Sequence, residues 1–438
     1  MKKNSFISVK PSRRLLLTIS GAIILLMILA VFLLIPREPY AERTLAENRE
    51  RFRKTLIDST ILAVIQHPPG ASNQEDWISA CWAMGLAQYR SDVAEKALEN
   101  AFDHYEDLDD ELKRSLLEVA YGLYPEQFVP EVRSILRFEE DPMRFVMAAL
   151  YLHRARFNLQ TGMEIRNLLI EKFSHLLDHP ILGMFRAELH FRPELPPVDQ
   201  LLSPDFLKGY PVFYTFFRQN RDYPGVTICR LADGSLKREE DQTLWSVWHL
   251  GRSNSGLPGY VTNGNTPEGL YSLHGIARSD NVFIGPTPVV DLKMPWEISP
   301  ADFFHGNTSD TLWDRADYMA VLPPRWRDYL PVYTSYYAGK AGRSDIIAHG
   351  TTINPDFYAG KDWYPFTPSL GCLTALELWD DERGTRSFSH QQKLIDCLKE
   401  EKIQKGFWMI IDLDKANMPV TLDDLPRFSY SIRKMIQE

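Results

Sequence analysis

Two hydrophobic periodicities divide the chain. From about Ala41 to His190, apolar residues recur at three- and four-residue spacing in "DWISACWAMGLAQYR", "SDVAEKALENAFDHY", "DELKRSLLEVAYGLY", "FVPEVRSILRF" and "DPMRFVMAALYLHRARF". That is the helical period, and Asp, Ser and Pro stand at the starts of these runs as caps and first-turn residues. Small-plus-aromatic groups recur loosely, at Trp82 to Leu86, Val119 to Leu123 and Met147 to Leu150. The spacing fits stacked helix pairs of the α-solenoid kind, with an irregular bundle as the alternative. No metal-ligand or charged constellation stands out here, so this half reads as a scaffold or protein-contact surface.

"HFRPELPPVDQLLSPDFLKGYP" (residues 190–211) breaks the pattern with prolines and reads as a linker over 191–209. Beyond it, "PVFYTFFR", "GVTICRL", "TLWSVWHLGRS", "NVFIGPTPVVDLKM" and "GFWMIIDLD" are rich in β-branched and aromatic residues between Gly, Pro, Asp and Asn. They predict strands of a mostly antiparallel, sandwich-like domain over residues 210–416, interrupted by the helix "SHQQKLIDCLKEEKIQ" and followed by a tail, 417–438. Asn307 to Arg343 shows little periodicity and is open to reading as an insertion that covers a groove. The expectation is a multidomain α+β chain.

At the N-terminus Leu15 to Ile35 carries no charge and, at about 1.5 Å per residue, spans roughly 30 Å. Five basic residues precede it, so residues 1–14 are expected as a cytoplasmic tail and 15–36 as a single transmembrane helix. The bulk of the chain would then lie on the periplasmic or extracellular side of the cytoplasmic membrane. A cleaved signal peptide is the alternative, but "IPREPYAER" offers no A-x-A-like site.

Composition changes the picture in three ways. The net charge of −9 argues against nucleic acid as the main partner. Four cysteines are too few for a disulfide scaffold. No HExxH or paired CxxC points to a metal, and "GKAGRS" (339–344) lacks the spacing of a phosphate-binding loop.

Candidate chemistry centres on "IIAHGTTINPDFYAGKDWYPFTPSLGCLTALEL", residues 346–378. A cysteine nucleophile needs a base to take its proton and backbone N–H groups for the oxyanion. Ser369-Leu370-Gly371-Cys372 supplies a glycine turn before the thiol, and His349 lies on a segment close enough to be a neighbouring strand. His274-Gly275 and His305-Gly306 show how common the dipeptide is; both read as turns or partly buried polar residues. Cys81 reads as core, and a Cys229–Cys397 disulfide is left open.

These residues resemble the signature of the L,D-transpeptidase (YkuD-type) catalytic domain: His349-Gly350-Thr351, then Ser369-x-Gly371-Cys372. Upstream, "GNTPEGLYSL" with Thr266, Pro267 and Gly269 is similar to that family's Thr-Pro-x-Gly segment, and "KMPWEI" (293–298) to the Met-Pro-aromatic strand after it. The likeness covers residues 210–414 and leaves the helical half without a relative. It implies Cys372 as nucleophile and His349 as base. It also implies Gly371 and Cys372 N–H groups as the oxyanion site, and a Gly350 carbonyl that orients the imidazole. The implied substrate is the peptidoglycan stem peptide and no cofactor is implied. An amine resolving the thioester makes a transpeptidase; water makes an L,D-carboxypeptidase. The chain departs from the pattern at Leu370, where the family commonly has a polar residue, and at Thr374, where it has Arg or Asn. These departures keep a second reading open, a degenerate peptidoglycan-binding scaffold whose helical half recruits a partner.

Overall fold

The computed structural model describes residues 38–155, 158–176, 178–189 and 192–437. Residues 1–14 and the span expected at 15–36 lie outside the described residues; among the described residues no helix is long and apolar enough to cross a membrane. Ala41–Glu438 forms one compact unit.

Its first half is helical. Helix α1 (Ala46–Lys54) runs on through a π-helical stretch, Thr55–Leu62, into Ala63–Ile65. There follow α2 (Gln74–Ala87), α3 (Asp92–Asp103), α4 (Asp110–Leu123), α5 (Val129–Phe138), α6 (Pro142–Ala155), α7 (Leu159–Phe173) and α8 (Pro180–Glu188). Side-chain caps explain several starts. Ser91 accepts from the Ala94 amide, Asp109 from Leu112 and Asn158 from Thr161, each satisfying a donor the first turn leaves free. Helices α2, α4, α6 and α8 pack successively on one another, α5 packs on α6, and α3 touches both α4 and α5. Helix α2 buries Trp77, Ala80, Met84 and Leu86 but leaves Trp82, which opens the first small-plus-aromatic group, 39% exposed.

The second half overturns the sandwich. Strands β1 (Val212–Phe217), β2 (Gly225–Arg230), β3 (Ser246–Leu250), β4 (Gly269–Ala277), β5 (Val289–Lys293), β6 (Ala348–His349), β7 (Leu373–Ala375) and β10 (Gly406–Asp412) close into an eight-stranded barrel, in the order β1-β10-β4-β5-β6-β7-β3-β2. β8 (Glu377–Trp379) and β9 (Arg386–Ser389) form a separate two-stranded sheet. Neighbours in the barrel are antiparallel except β1 with β10 and β6 with β7, which are parallel. A strand of a sandwich and a strand of a covered barrel carry the same hydrophobic pattern. The difference lies in closure, and closure rests on β6 and β7, two and three residues long, too short to register as strands in a sequence.

β1 and β10 are buried on both faces. One face joins Phe213, Trp408 and Ile410 to Leu394, Ile395 and Leu398 of helix α10 (His390–Glu400). The other is covered by residues expected to be linker, insertion and tail. Val198, Leu201 and Phe206, then Tyr318, Trp326 and Tyr333, then Leu425 and Ile432 all pack there. Much of the 307–343 stretch is therefore core, and its end, Gly342 and Arg343, lines the cavity described below; its last helix, α9 (Thr334–Lys340), lies against β4. Gly269 is required at this contact: at φ +133° it sits where a Cβ would collide with Ser335 and the Val332 carbonyl. The tail starts helix α11 (Tyr430–Gln437), whose first amides donate to Asp199. The expected Met-Pro-aromatic strand is a turn, since β5 stops at Lys293 and Trp296 has φ +73°.

No boundary separates the halves. The helical core continues into Leu257, Tyr260 and Val261 of the loop after β3. The Tyr358 hydroxyl donates to the Leu86 carbonyl, and the backbone of Ser255 lies so close to Gly122 that a Cβ there would press on it at 3.0–3.1 Å.

Candidate active site

The parallel pairing of β6 with β7 sets Ala348 opposite Leu373 and His349 opposite Thr374. The Leu373 amide donates to the Ile347 carbonyl at 3.0 Å. One residue earlier Cys372 therefore falls opposite Ile347, two positions from His349 along the neighbouring strand. Both residues line a single cavity of about 550 Å³.

His349 is buried and its Nδ1 lies 2.5 Å from the Gly350 carbonyl. A carbonyl only accepts, so the proton sits on Nδ1 and the Nε2 of the neutral ring carries the lone pair. Burial holds the imidazole below the usual histidine range, opposed by that carbonyl. The Gly350–Thr351 peptide is fixed from its other end: the Thr351 amide donates to the Glu377 carboxylate at 2.9 Å. Glu377 is itself buried and takes hydroxyl donors from Thr287 and Ser389 at 2.6 Å each. A Cβ on Gly350 would overlap its carboxylate, so a buried carboxylate accounts for the glycine. Thr351 braces the turn, its hydroxyl accepting from Thr367 and its carbonyl from the Trp379 indole.

Cys372 is a free, partly exposed thiol. Its carbonyl accepts from the Ser369 hydroxyl at 3.1 Å and from Thr266 at 3.3 Å, so the upstream Thr-Pro segment does meet the nucleophile loop. The Tyr271 hydroxyl donates to the Pro267 carbonyl and ties that segment to β4. Two details differ from the expected arrangement. The Gly371 amide is not free for an oxyanion; it donates to Ser369 Oγ at 3.0 Å, leaving the Cys372 N–H without a hydrogen-bond partner among the described residues. The thiol proton is directed at the Asp345 carbonyl, 3.4 Å away, rather than at His349.

Sequence reasoning missed the cation of the site. Arg343 is buried, and its guanidinium donates to the carbonyls of Gly259, Gly264, Asn265 and Leu370. Gly371, at φ +116°, lies flat against it and a Cβ would overlap the guanidinium. The Thr374 hydroxyl is buried opposite His349 with no hydrogen bond among the described residues. An isolated arginine in an unpatterned stretch gives no signal in a sequence. Trp82 was also missed. It walls the cavity with Phe283 at a ring separation of 5.8 Å, so the helical half contributes to the site.

The decoy histidines sit elsewhere. Ser272 lies 3.0 Å from His274 Nε2, and His305 Nε2 lies 2.8 Å from the Gly406 carbonyl. Cys81, Cys229 and Cys397 are buried and free, so the disulfide left open is not formed. No cluster among the described residues is arranged to hold a metal.

Burial pushes the Cys372 thiol up to about 11, against the pull of the Ile347 amide and Arg343. With the imidazole depressed as well, the resting pair is neutral thiol and neutral base. Alkylation of Cys372 by iodoacetamide is therefore expected to climb about tenfold per pH unit from pH 7 to 10, since only the thiolate reacts. A rate plateau between pH 6 and 8 would reveal a thiolate–imidazolium pair and overturn this assignment; peptide mapping separates Cys372 from the three buried thiols.

Compared with family models, with curated proteins and with solved structures, the chain matches none.

Proposed function

We propose that the chain is a cysteine acyltransferase of the L,D-transpeptidase type, acting on peptidoglycan stem peptides. One observation carries the reading: a free thiol on the residue before β7 and a histidine of β6 with an unshared Nε2 line one cavity. His349 Nε2 takes the Cys372 proton as sulfur attacks the carbonyl of an amide between an L-centre and a D-residue. The Cys372 N–H receives the oxyanion. The tetrahedral adduct then collapses, the C–N bond breaks, and the imidazolium returns its proton to the departing amine. A thioester remains. An amine from a second stem forms the new C–N bond and expels the thiolate; water in its place gives an L,D-carboxypeptidase. This substrate lies outside the cytoplasm.

A second reading is a peptidoglycan-gripping domain without turnover. It is favoured by the thiol proton resting on Asp345 and the Gly371 amide held by Ser369. Intact-protein mass spectrometry separates the two. Incubation with a tetrapeptide ending in an L-centre–D-alanine bond, or with a carbapenem, is expected to add one acyl mass on Cys372 and none in Cys372→Ala. A chain that takes neither adduct is not an acyltransferase.

A further inference from the structure

Behind the histidine lies a carboxylate that does not line the cavity. Glu377 opens β8, and its side chain is 0% exposed. Its Oε2 accepts from the Thr351 N–H at 2.9 Å. Its Oε1 accepts from the Thr287 and Ser389 hydroxyls at 2.6 Å each, with Arg386 Nη1 of β9 3.5 Å away. Thr287 accepts in turn from Arg386 and Ser389 from the Gln392 amide, which leaves both hydroxyl hydrogens to point at the carboxylate. Every partner it has among the described residues is a donor, the surrounding of an ionised carboxylate rather than of an acid. Burial raises this carboxyl above its usual value, and Ser389, Thr287, Arg386 and the Thr351 amide all oppose the rise.

The Thr351 N–H belongs to the same peptide group as the Gly350 carbonyl, which accepts from His349 Nδ1. Imidazole and carboxylate thus hold the two ends of one planar amide. A negative charge at the N–H end pushes amide electrons toward the carbonyl oxygen, and hydrogen bonds in such a chain strengthen one another. The more negative oxygen holds the Nδ1 proton more firmly and favours a positive ring. In a Ser-His-Asp triad the carboxylate touches the ring itself; here a peptide group stands between them. Glycine at 350 permits the approach, since a Cβ there would overlap the Glu377 carboxylate.

We propose that Glu377 is a positioning residue for the Cys372–His349 pair, its negative charge carried through the Gly350–Thr351 peptide to stabilise the imidazolium that forms when His349 Nε2 takes the thiol proton. One proton moves, from Sγ to Nε2; Nδ1 keeps its own and Glu377 takes none. The assignment rests on the proposed acyl transfer for the reaction it serves. Around the pair stand Arg386 on β9, Arg343, Asp345 and Cys372 on the cavity side, His249 of β3 and His390 of α10. Burial holds these two histidines down to about 3 and about 4, so above about pH 5 neither adds a charge.

Acylation of Cys372 by a carbapenem is followed by intact mass across pH in the full native chain, in Glu377→Gln and in Glu377→Asp. Glutamine keeps the size and removes the charge; aspartate keeps the charge and withdraws it by one methylene. A charge acts across that gap and a contact does not. Glu377→Gln is expected to slow acylation about 50-fold at pH 7.5 and to move the acid limb about one unit to lower pH, because a ring without its stabilising charge protonates less readily. Glu377→Asp is expected to recover most of that loss, ending within about tenfold of native. The reverse order, with the aspartate variant the slower, would make Glu377 a brace and overturn the relay, as would a slow glutamine variant whose acid limb stays in place. Where Glu377→Gln folds poorly, Glu377→Asp decides alone, a loss beyond tenfold overturning the relay. The ring is also titrated directly, by NMR of the full chain carrying Cys372→Ala and 13C-labelled histidine, with His349→Gln to assign its signal. A His349 midpoint lowered by Glu377→Gln, in a chain whose native Cys372 takes no adduct, would retain the relay and remove the acyl-transfer reading. An unmoved midpoint beside a normal adduct would do the reverse.

Discussion

His349→Gln is expected to slow acylation of Cys372 by about 10³-fold at pH 7.5, within the 10²–10⁴ typical of a positioned general base. The size follows from the thiol. With burial holding Cys372 up to about 11, only about one molecule in 10³–10⁴ carries a thiolate at that pH unless a base removes the proton as attack proceeds. Glutamine keeps a donor for the Gly350 carbonyl and so preserves the turn while abolishing the lone pair on the pocket side. The pH profiles then separate. Because burial depresses the imidazole, the native chain is expected to keep its neutral base further into the acid range than an ordinary histidine would and to lose acylation only as pH falls through the lowered value. The variant has no such acid limb; its rate rises about tenfold per unit and approaches the native rate near pH 11, where hydroxide supplies the thiolate. Acylation rates followed by intact mass at several pH values check this. A variant within tenfold of the native rate at pH 7.5 would remove His349 from the chemistry.

The helices were legible because their signals are local. Ser91 caps the helix whose start it marks, and the three-and-four spacing locates α2 to α6 within about three residues. The five strand runs also coincide with β1, β2, β3, β5 and β10. What the sequence withheld was the partner of each strand. Closure passes through β6 and β7, and two or three residues carry no periodicity to read. Gly85 and Gly122 misled in a different way. As members of a recurring small-plus-aromatic group they suggested helix-to-helix packing, yet the atoms nearest a Cβ at either position belong to Asn254 and Ser255 of the barrel half. Small residues announce a close approach without saying of what.

The site divides along the same line. His349, Gly350, Ser369, Gly371 and Cys372 lie in one stretch, where spacing and residue type are enough to suggest a pair. Thr266 was found only through its resemblance to a family segment, and it does touch Cys372. Glu377 and Arg343 reach the site from positions with no motif around them. Their functions, steadying the Gly350–Thr351 peptide and placing charge under Gly371, exist only after folding. Trp82 comes from a half that looked like a scaffold. A groove made by segments more than 160 residues apart leaves no mark in either one.

Arg343→Met is expected to cost about 3–5 kcal/mol of stability, the range for removing one partner from a buried charged network. Four carbonyls, those of Gly259, Gly264, Asn265 and Leu370, lose their donor at once. Arg343 is only 8% exposed, so water replaces few of these donors without opening the loop. The thiol responds too. Arg343 is one of the two influences that hold Cys372 down against burial, so the alkylation profile of any folded variant moves to higher pH. Arg343→Lys divides these effects: an ammonium restores the charge and with it much of the thiol shift, but its three donors cannot span four carbonyls on separate loops, so stability stays low. Denaturant unfolding measured beside the alkylation profile distinguishes the two contributions. An Arg343→Met chain within about 1 kcal/mol of native stability would mean that the loops are held by something other than this fork, and that Gly371 owes its place to another neighbour.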